Sequence, residues 1–156
     1  MKKLIFLILM ITFASFSSAE SLDRYPLDKT TAADIAKPDT VSDGDWLNKE
    51  KAILFFWTTW CPYCRTAIKD LTRIDAELRA KGFDIYFINV KESSTKALGY
   101  KEKMGIQSPV VLDTSGAIAN RYRIPGFPTY IFLKNGVEID RSGIITRKYV
   151  DKIYGR

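Results

Sequence analysis

The chain has 156 residues, 46% hydrophobic and 27% charged, which suits one globular domain with a full core and excludes disorder on the scale of a whole domain. Its formal charge of +6 is spread along the sequence with no basic run and no nucleic-acid module, so it reads as solvated surface and no nucleic-acid partner is expected.

At the N-terminus, Lys2 and Lys3 precede an apolar run from Leu4 to Phe16, broken only by Thr12 and Ser15. Ser17-Ser18-Ala19 then supplies the small residues of a cleavage site. The run is about thirteen residues, whereas a helix crossing about 30 Å of hydrocarbon needs roughly twenty. Residues 1–19 are therefore expected to be a signal peptide cleaved after Ala19, with retention as a membrane anchor as the alternative. The segment has no Cys, so a lipid-modified bacterial N-terminus is not expected. The expected location is periplasmic or otherwise extracytoplasmic. Residues 20–44 are polar and irregular, with Pro26 and Pro38, and read as an extension packed on a domain spanning 45–156.

Ile53-Leu54-Phe55-Phe56-Trp57 is a short continuous apolar run, the pattern of a strand buried on both faces. Cys61 opens a helix whose apolar stripe runs through Ala67, Ile68, Leu71, Ile74 and Leu78, with Gly82 as its stop. Phe83 to Val90 reads as a second strand, alternating apolar and more polar positions. Thr95 to Met104 reads as a helix stopped by Gly105. Val110 to Leu112 is a third strand, and a short helix follows from Ala117 to Tyr122. Thr129 to Leu133 is a fourth strand. Asn135-Gly136 is a two-residue hairpin signal leading into Glu138 to Ser142. Thr146 can cap a last helix running to about Tyr154. Alternating β and α elements, then a hairpin and a helix, predict an α/β fold: a mixed central sheet flanked by helices on both faces.

Cys61 and Cys64 are the only cysteines, and the chain has no His. A bridge closing four residues constrains the unfolded chain by only about 2 kcal/mol, so the pair is a poor staple. Zinc needs four ligands and would find two here, so no metal site and no cofactor are expected. The missing imidazole also excludes a Cys–His nucleophile.

A Cys-x-x-Cys at a strand-to-helix junction is suited to redox exchange. The attacking species is a thiolate, and free Cys, with a pKa near about 8.5, supplies little of it at neutral pH. Unpaired N–H groups and the positive end of the helix dipole favour a negative sulfur at the first turn, where Pro62 is tolerated. Cys61 is then the exposed catalytic nucleophile, and Cys64, one turn on, the shielded sulfur that resolves the mixed disulfide.

Phe56-Trp57-Thr58-Thr59-Trp60-Cys61-Pro62-Tyr63-Cys64 resembles the active-site stretch of thioredoxin-fold oxidoreductases, and Phe127-Pro128-Thr129 their second signature. Within them, Ile88 to Ser93 and Ser108 to Asp113 are similar to the TlpA/ResA-like envelope branch. The resemblance covers about Asp45 to Tyr154. It implies a cis Pro128 facing the cysteines, a substrate-binding rim of Trp60, Pro62, Tyr63, Phe127 and Pro128, and protein disulfide or dithiol substrates. It also implies a monomeric dithiol reductase recharged by a membrane electron donor, with a role like that in cytochrome c maturation.

This chain departs from the pattern at Phe55, where thioredoxins carry a buried Asp and this branch often an Asn. Glu92 is a substitute carboxylate on one reading and, on the favoured one, a solvated turn residue. Arg65 and Lys69 either favour the Cys61 thiolate or form an ordinary solvated helix face. A disulfide oxidase or isomerase using the same pair, and a peptide-binding module with little turnover, stay open as alternatives, because electron direction follows a reduction potential that no residue here sets.

Overall fold

The computed structural model describes residues 44–155. The expected signal peptide and N-terminal extension lie outside the described residues, apart from Gly44. A 3-10 turn at Asp45–Asn48 leads into β1 (Lys51–Trp57), followed by α1 (Pro62–Ala80), β2 (Asp84–Val90) and α2 (Ser94–Met104). Then come β3 (Val110–Asp113), α3 (Ala117–Arg121), β4 (Thr129–Lys134), β5 (Val137–Ser142) and α4 (Arg147–Tyr154).

The strands form one sheet in the order β3-β2-β1-β4-β5. β1 pairs in parallel with β2 and antiparallel with β4, so the most apolar strand takes the centre. Ile53, Phe55 and Trp57 face one cluster, together with the buried side of α1, Ala97 of α2, and Val150 and Ile153 of α4. Leu54 and Phe56 face the other, with Trp46 of the 3-10 turn and Ile118 and Ala119 of α3. Helical elements thus cover both faces, as the element order predicts.

β2 differs from its expected alternation. Only Asp84 is partly exposed, and the other six residues are buried on both faces. The reason is position: a parallel strand between β1 and β3 has no wet side. Its polar members are absorbed locally, Tyr86 edge-on against the Trp46 ring and Asn89 in a hydrogen bond described below.

Local signals fix the joints. Asn135 and Gly136 both have positive φ, at 52° and 75°, the backbone a two-residue hairpin between twisted strands requires. A Cβ at Gly136 would also strike the carbonyl of Leu47. Thr146 caps α4, its side chain accepting from the N–H of Tyr149 at 3.1 Å. At the other end of α4, the Tyr154 hydroxyl lies 3.0 Å from the Ala52 carbonyl and 2.9 Å from that of Leu133, tying the helix across β1 and β4.

Candidate active site

The carboxyl ends of β1 and β2 and the amino end of β4 meet on one side of the sheet. Register sets this: Trp57 stands across from Asn89 on β2, and Phe56 from Thr129 on β4. The chain leaving β1 reaches Cys61 in four residues, and the Phe127–Pro128 peptide, which is cis, enters β4 immediately before Thr129. Trp60 and Phe127 pack edge to face, ring centroids 6.1 Å apart, so the segment before β4 lies against the rim of the Cys pair. Thr129 ties that segment down, its hydroxyl donating to the Gly126 carbonyl at 2.8 Å.

Cys61 and Cys64 form a disulfide at the start of α1. Cys61 is the N-cap and Pro62 the first helical residue. The N–H of Cys64, one of the donors a helix start leaves without an internal partner, donates to Cys61 Sγ at 3.1 Å. No acidic residue stands in the first turn to compete for that positive helix end. The expectation of an exposed Cys61 needs correction. In the disulfide Cys61 is only 4% exposed and Cys64 fully buried. The disulfide explains it, because it holds Cys61 Sγ against the fully buried Cys64. The order of accessibility, Cys61 before Cys64, is as expected.

The rim is open. Trp60 is 67% exposed and Tyr63 76%, and Pro62 is exposed between the two sulfurs. Phe127 and Pro128 are half-buried opposite. Arg65 and Lys69 stand exposed on α1.

Beneath the pair lies an aromatic floor. Phe55 stacks on Tyr130 at 4.6 Å and meets Phe87 edge-on at 5.3 Å, in the same cluster as both cysteines. The Tyr130 hydroxyl donates to the Ala67 carbonyl of α1 at 3.0 Å, and burial pushes this phenol well above its ordinary range, so it stays protonated. Among the described residues, the cluster that holds this floor and both cysteines is built of apolar and aromatic side chains.

The charge sits to one side instead, in residues that the sequence reading missed or undervalued. Glu92 is not a solvated turn residue; its side chain is 3% exposed. Lys91 adopts a left-handed backbone (φ 55°), and the chain turns so that Glu92 points back toward the exit of β1. There its carboxylate accepts from the N–H of Thr59 (2.7 Å), the Thr59 hydroxyl (2.6 Å) and Asn89 Nδ2 (2.9 Å), and pairs with Lys96 Nζ (2.7 Å). Burial pushes its pKa up, but the hydrogen bonds from Lys96, Thr59 and Asn89 outweigh this and hold the carboxyl below its ordinary range. All four of these contacts go to the turn after β1, to β2 and to α2. A signal was available: Glu92 directly precedes the Ser93 cap of α2 and stands four residues before Lys96, a placement that favours an anion. Beside this network Trp57 Nε1, Thr58 Oγ1 and Asn89 Oδ1 are buried with no hydrogen-bond partner among the described residues.

The model of the AhpC/TSA family matches residues 28–148, more than three quarters of the sequence. The chain belongs to the AhpC/TSA family. Among relatives of this family member, the thiol-disulfide oxidoreductase ResA of Bacillus subtilis is 27% identical over 115 residues, covering 74% of this chain and 60% of that protein. The soluble secreted antigen MPT53 of Mycobacterium tuberculosis is 28% identical over 92 residues, 59% of this chain and 52% of the relative. The chain thus spans little more than half the length of these relatives. A solved thiol:disulfide interchange protein of the thioredoxin family from Chlorobium tepidum aligns with a TM-score of 0.62 and 26% identity, over 74% of this chain and 83% of its own. The fold is the thioredoxin fold.

Proposed function

We propose that this AhpC/TSA member is a thiol–disulfide oxidoreductase acting outside the cytoplasm, where its dithiol reduces disulfides of exported proteins. The observation that carries this reading is the Cys64 N–H directed at Cys61 Sγ from the unpaired end of α1. The same donor and dipole that hold the sulfur in the disulfide favour a thiolate once the pair is reduced. The relative named a thiol-disulfide oxidoreductase supports the reaction class, and the relative named a secreted antigen, with the leader-like residues 1–19, supports the location.

In the reaction, the Cys61 thiolate attacks one sulfur of a substrate disulfide and the other sulfur leaves as a thiolate. Cys64, having lost its proton, then attacks Cys61 Sγ and expels the second substrate sulfur. Two electrons and, overall, two protons pass to the substrate, and the chain is left as the Cys61–Cys64 disulfide. A membrane-bound dithiol donor would reduce it again. Trp60, Pro62, Tyr63, Phe127 and Pro128 form the surface on which an extended substrate segment would lie. The reductase direction, a monomeric state and service to cytochrome c maturation follow from the family resemblance.

Reduced protein mixed with a model protein disulfide should reduce it stoichiometrically, and Cys61→Ser should abolish the reaction. Full activity in Cys61→Ser would remove the catalytic assignment. Equilibration against glutathione reads the direction: a potential near about −270 mV supports a reductase and one near about −120 mV an oxidase.

A further inference from the structure

Glu92 is far better buried and bonded than a loop carboxylate needs to be, and two of its short hydrogen bonds go to a single residue. Thr59 gives it the backbone N–H and the hydroxyl, one to each carboxylate oxygen, at 2.7 and 2.6 Å. Thr59 lies in the three-residue exit from β1, one residue before exposed Trp60 and two before Cys61. The remaining acceptor capacity holds Glu92 itself: Asn89 fixes one oxygen from the end of β2 and Lys96 the other from α2. The result is a brace running from β2 and α2 to the turn that delivers the reactive sulfur. The turn leaves β1 beside three buried polar atoms that have no protein partner among the described residues.

We infer that Glu92 is a positioning residue for the Cys pair: its carboxylate clamps Thr59 and so fixes the turn that sets Cys61 Sγ against the first N–H groups of α1 and presents Trp60 at the rim. The inference rests on the reading of Cys61 as the attacking sulfur and adds what orients it. Two effects of Glu92 on Cys61 have opposite signs, which makes them separable. A buried negative charge on its own disfavours a second anion nearby, whereas a clamp that keeps Sγ at the amide-rich helix end favours the thiolate. Removing the side chain should therefore make Cys61 less acidic if the clamp governs, and more acidic if only the charge matters. Glutamine separates the two further. Its carbonyl oxygen can still accept from the Thr59 N–H and Asn89, and its amide can donate to the Thr59 hydroxyl but not accept from Lys96, so the Thr59 clamp survives while the charge and the Lys96 pair are lost.

The test uses the full reduced chain and the rate of the first alkylation of Cys61 by iodoacetamide as a function of pH, with thermal melting to establish that each variant is folded. Glu92→Ala should raise the midpoint of the profile by roughly half a pH unit or more, and Glu92→Gln should return it to the wild-type value or below. A folded Glu92→Ala protein whose midpoint equals or falls below wild type would overturn the inference, even if its melting temperature drops. Should Glu92→Ala fail to fold, Thr59→Val decides, since it deletes one donor and leaves the carboxylate; a raised midpoint supports the clamp and an unchanged one overturns it. Alkylation needs no protein substrate. A chain that shows the predicted Glu92 dependence yet reduces no disulfide would lose the proposed function and keep the clamp.

Discussion

The floor and the flank of the Cys pair are built from opposite materials. Below, Phe55, Phe87 and Tyr130 form a dry aromatic stack. Beside it, Thr58, Thr59, Asn89 and Glu92 bring polar and charged groups to the ends of the same strands. The pair is thus supported by packing from beneath and by hydrogen bonds from one side. In this chain a buried carboxylate is bonded to the turn before Cys61. The difference also assigns the burden of each region: the floor contributes mainly apolar burial and stability, the flank mainly geometry.

The sharpest way to break this contrast is to put charge into the floor. Phe55→Asp removes an aromatic ring from the centre of the sheet and buries a carboxyl against Phe87 and Tyr130. It should cost at least about 4 kcal/mol in chemical denaturation. A variant that unfolds like wild type would mean that the floor tolerates an acid, and the contrast would fail.

The flank answers to pH. In the folded chain the Glu92 carboxyl titrates below its ordinary range, under the combined effect of burial and stronger opposing hydrogen bonds. The stabilisation from the ionised clamp is therefore complete above the ordinary carboxylate pKa of about 4.3 and is lost as pH falls through the lower folded value. Glu92→Gln lacks that titration. The difference in unfolding free energy between wild type and Glu92→Gln should shrink as pH falls from about 6 to about 3; a difference that stays constant would show that the charge contributes nothing.

The smallest expected effect on stability lies at the rim, where floor and flank both end. Trp60 is largely exposed and its ring meets that of Phe127. Trp60→Ala should cost no more than about 1 kcal/mol in a thermal melt. Its exchange with a protein disulfide should slow several-fold, while reduction of a small-molecule disulfide stays near wild type. Equal slowing with both substrates would shift Trp60 from docking to positioning the sulfur.

Much of this was legible in the residues. The unbroken apolar run Ile53 to Trp57 gave the central strand because a strand buried on both faces has no room for alternation. Asn135-Gly136 gave the hairpin because few other pairs accept two positive φ values. Cys-x-x-Cys behind that strand gave the site. What escaped was set by neighbours distant in sequence. β2 looked half-solvated because nothing local says that β3 will cover it. Glu92 looked wet because turns are usually on the surface, and only the left-handed Lys91 and the approach of Thr59 from 33 residues away turn it inward. Cys61 looked open because a pattern of residue types does not show how deeply Cys64, to which its sulfur is bonded, is buried.

The proposed function depends on a first cysteine whose sulfur is made acidic by the helix start it caps. The pH profile of iodoacetamide alkylation on the reduced wild-type chain tests this most directly. The predicted midpoint lies well below the value of about 8.5 for a free thiol. A midpoint at or above that value would contradict it.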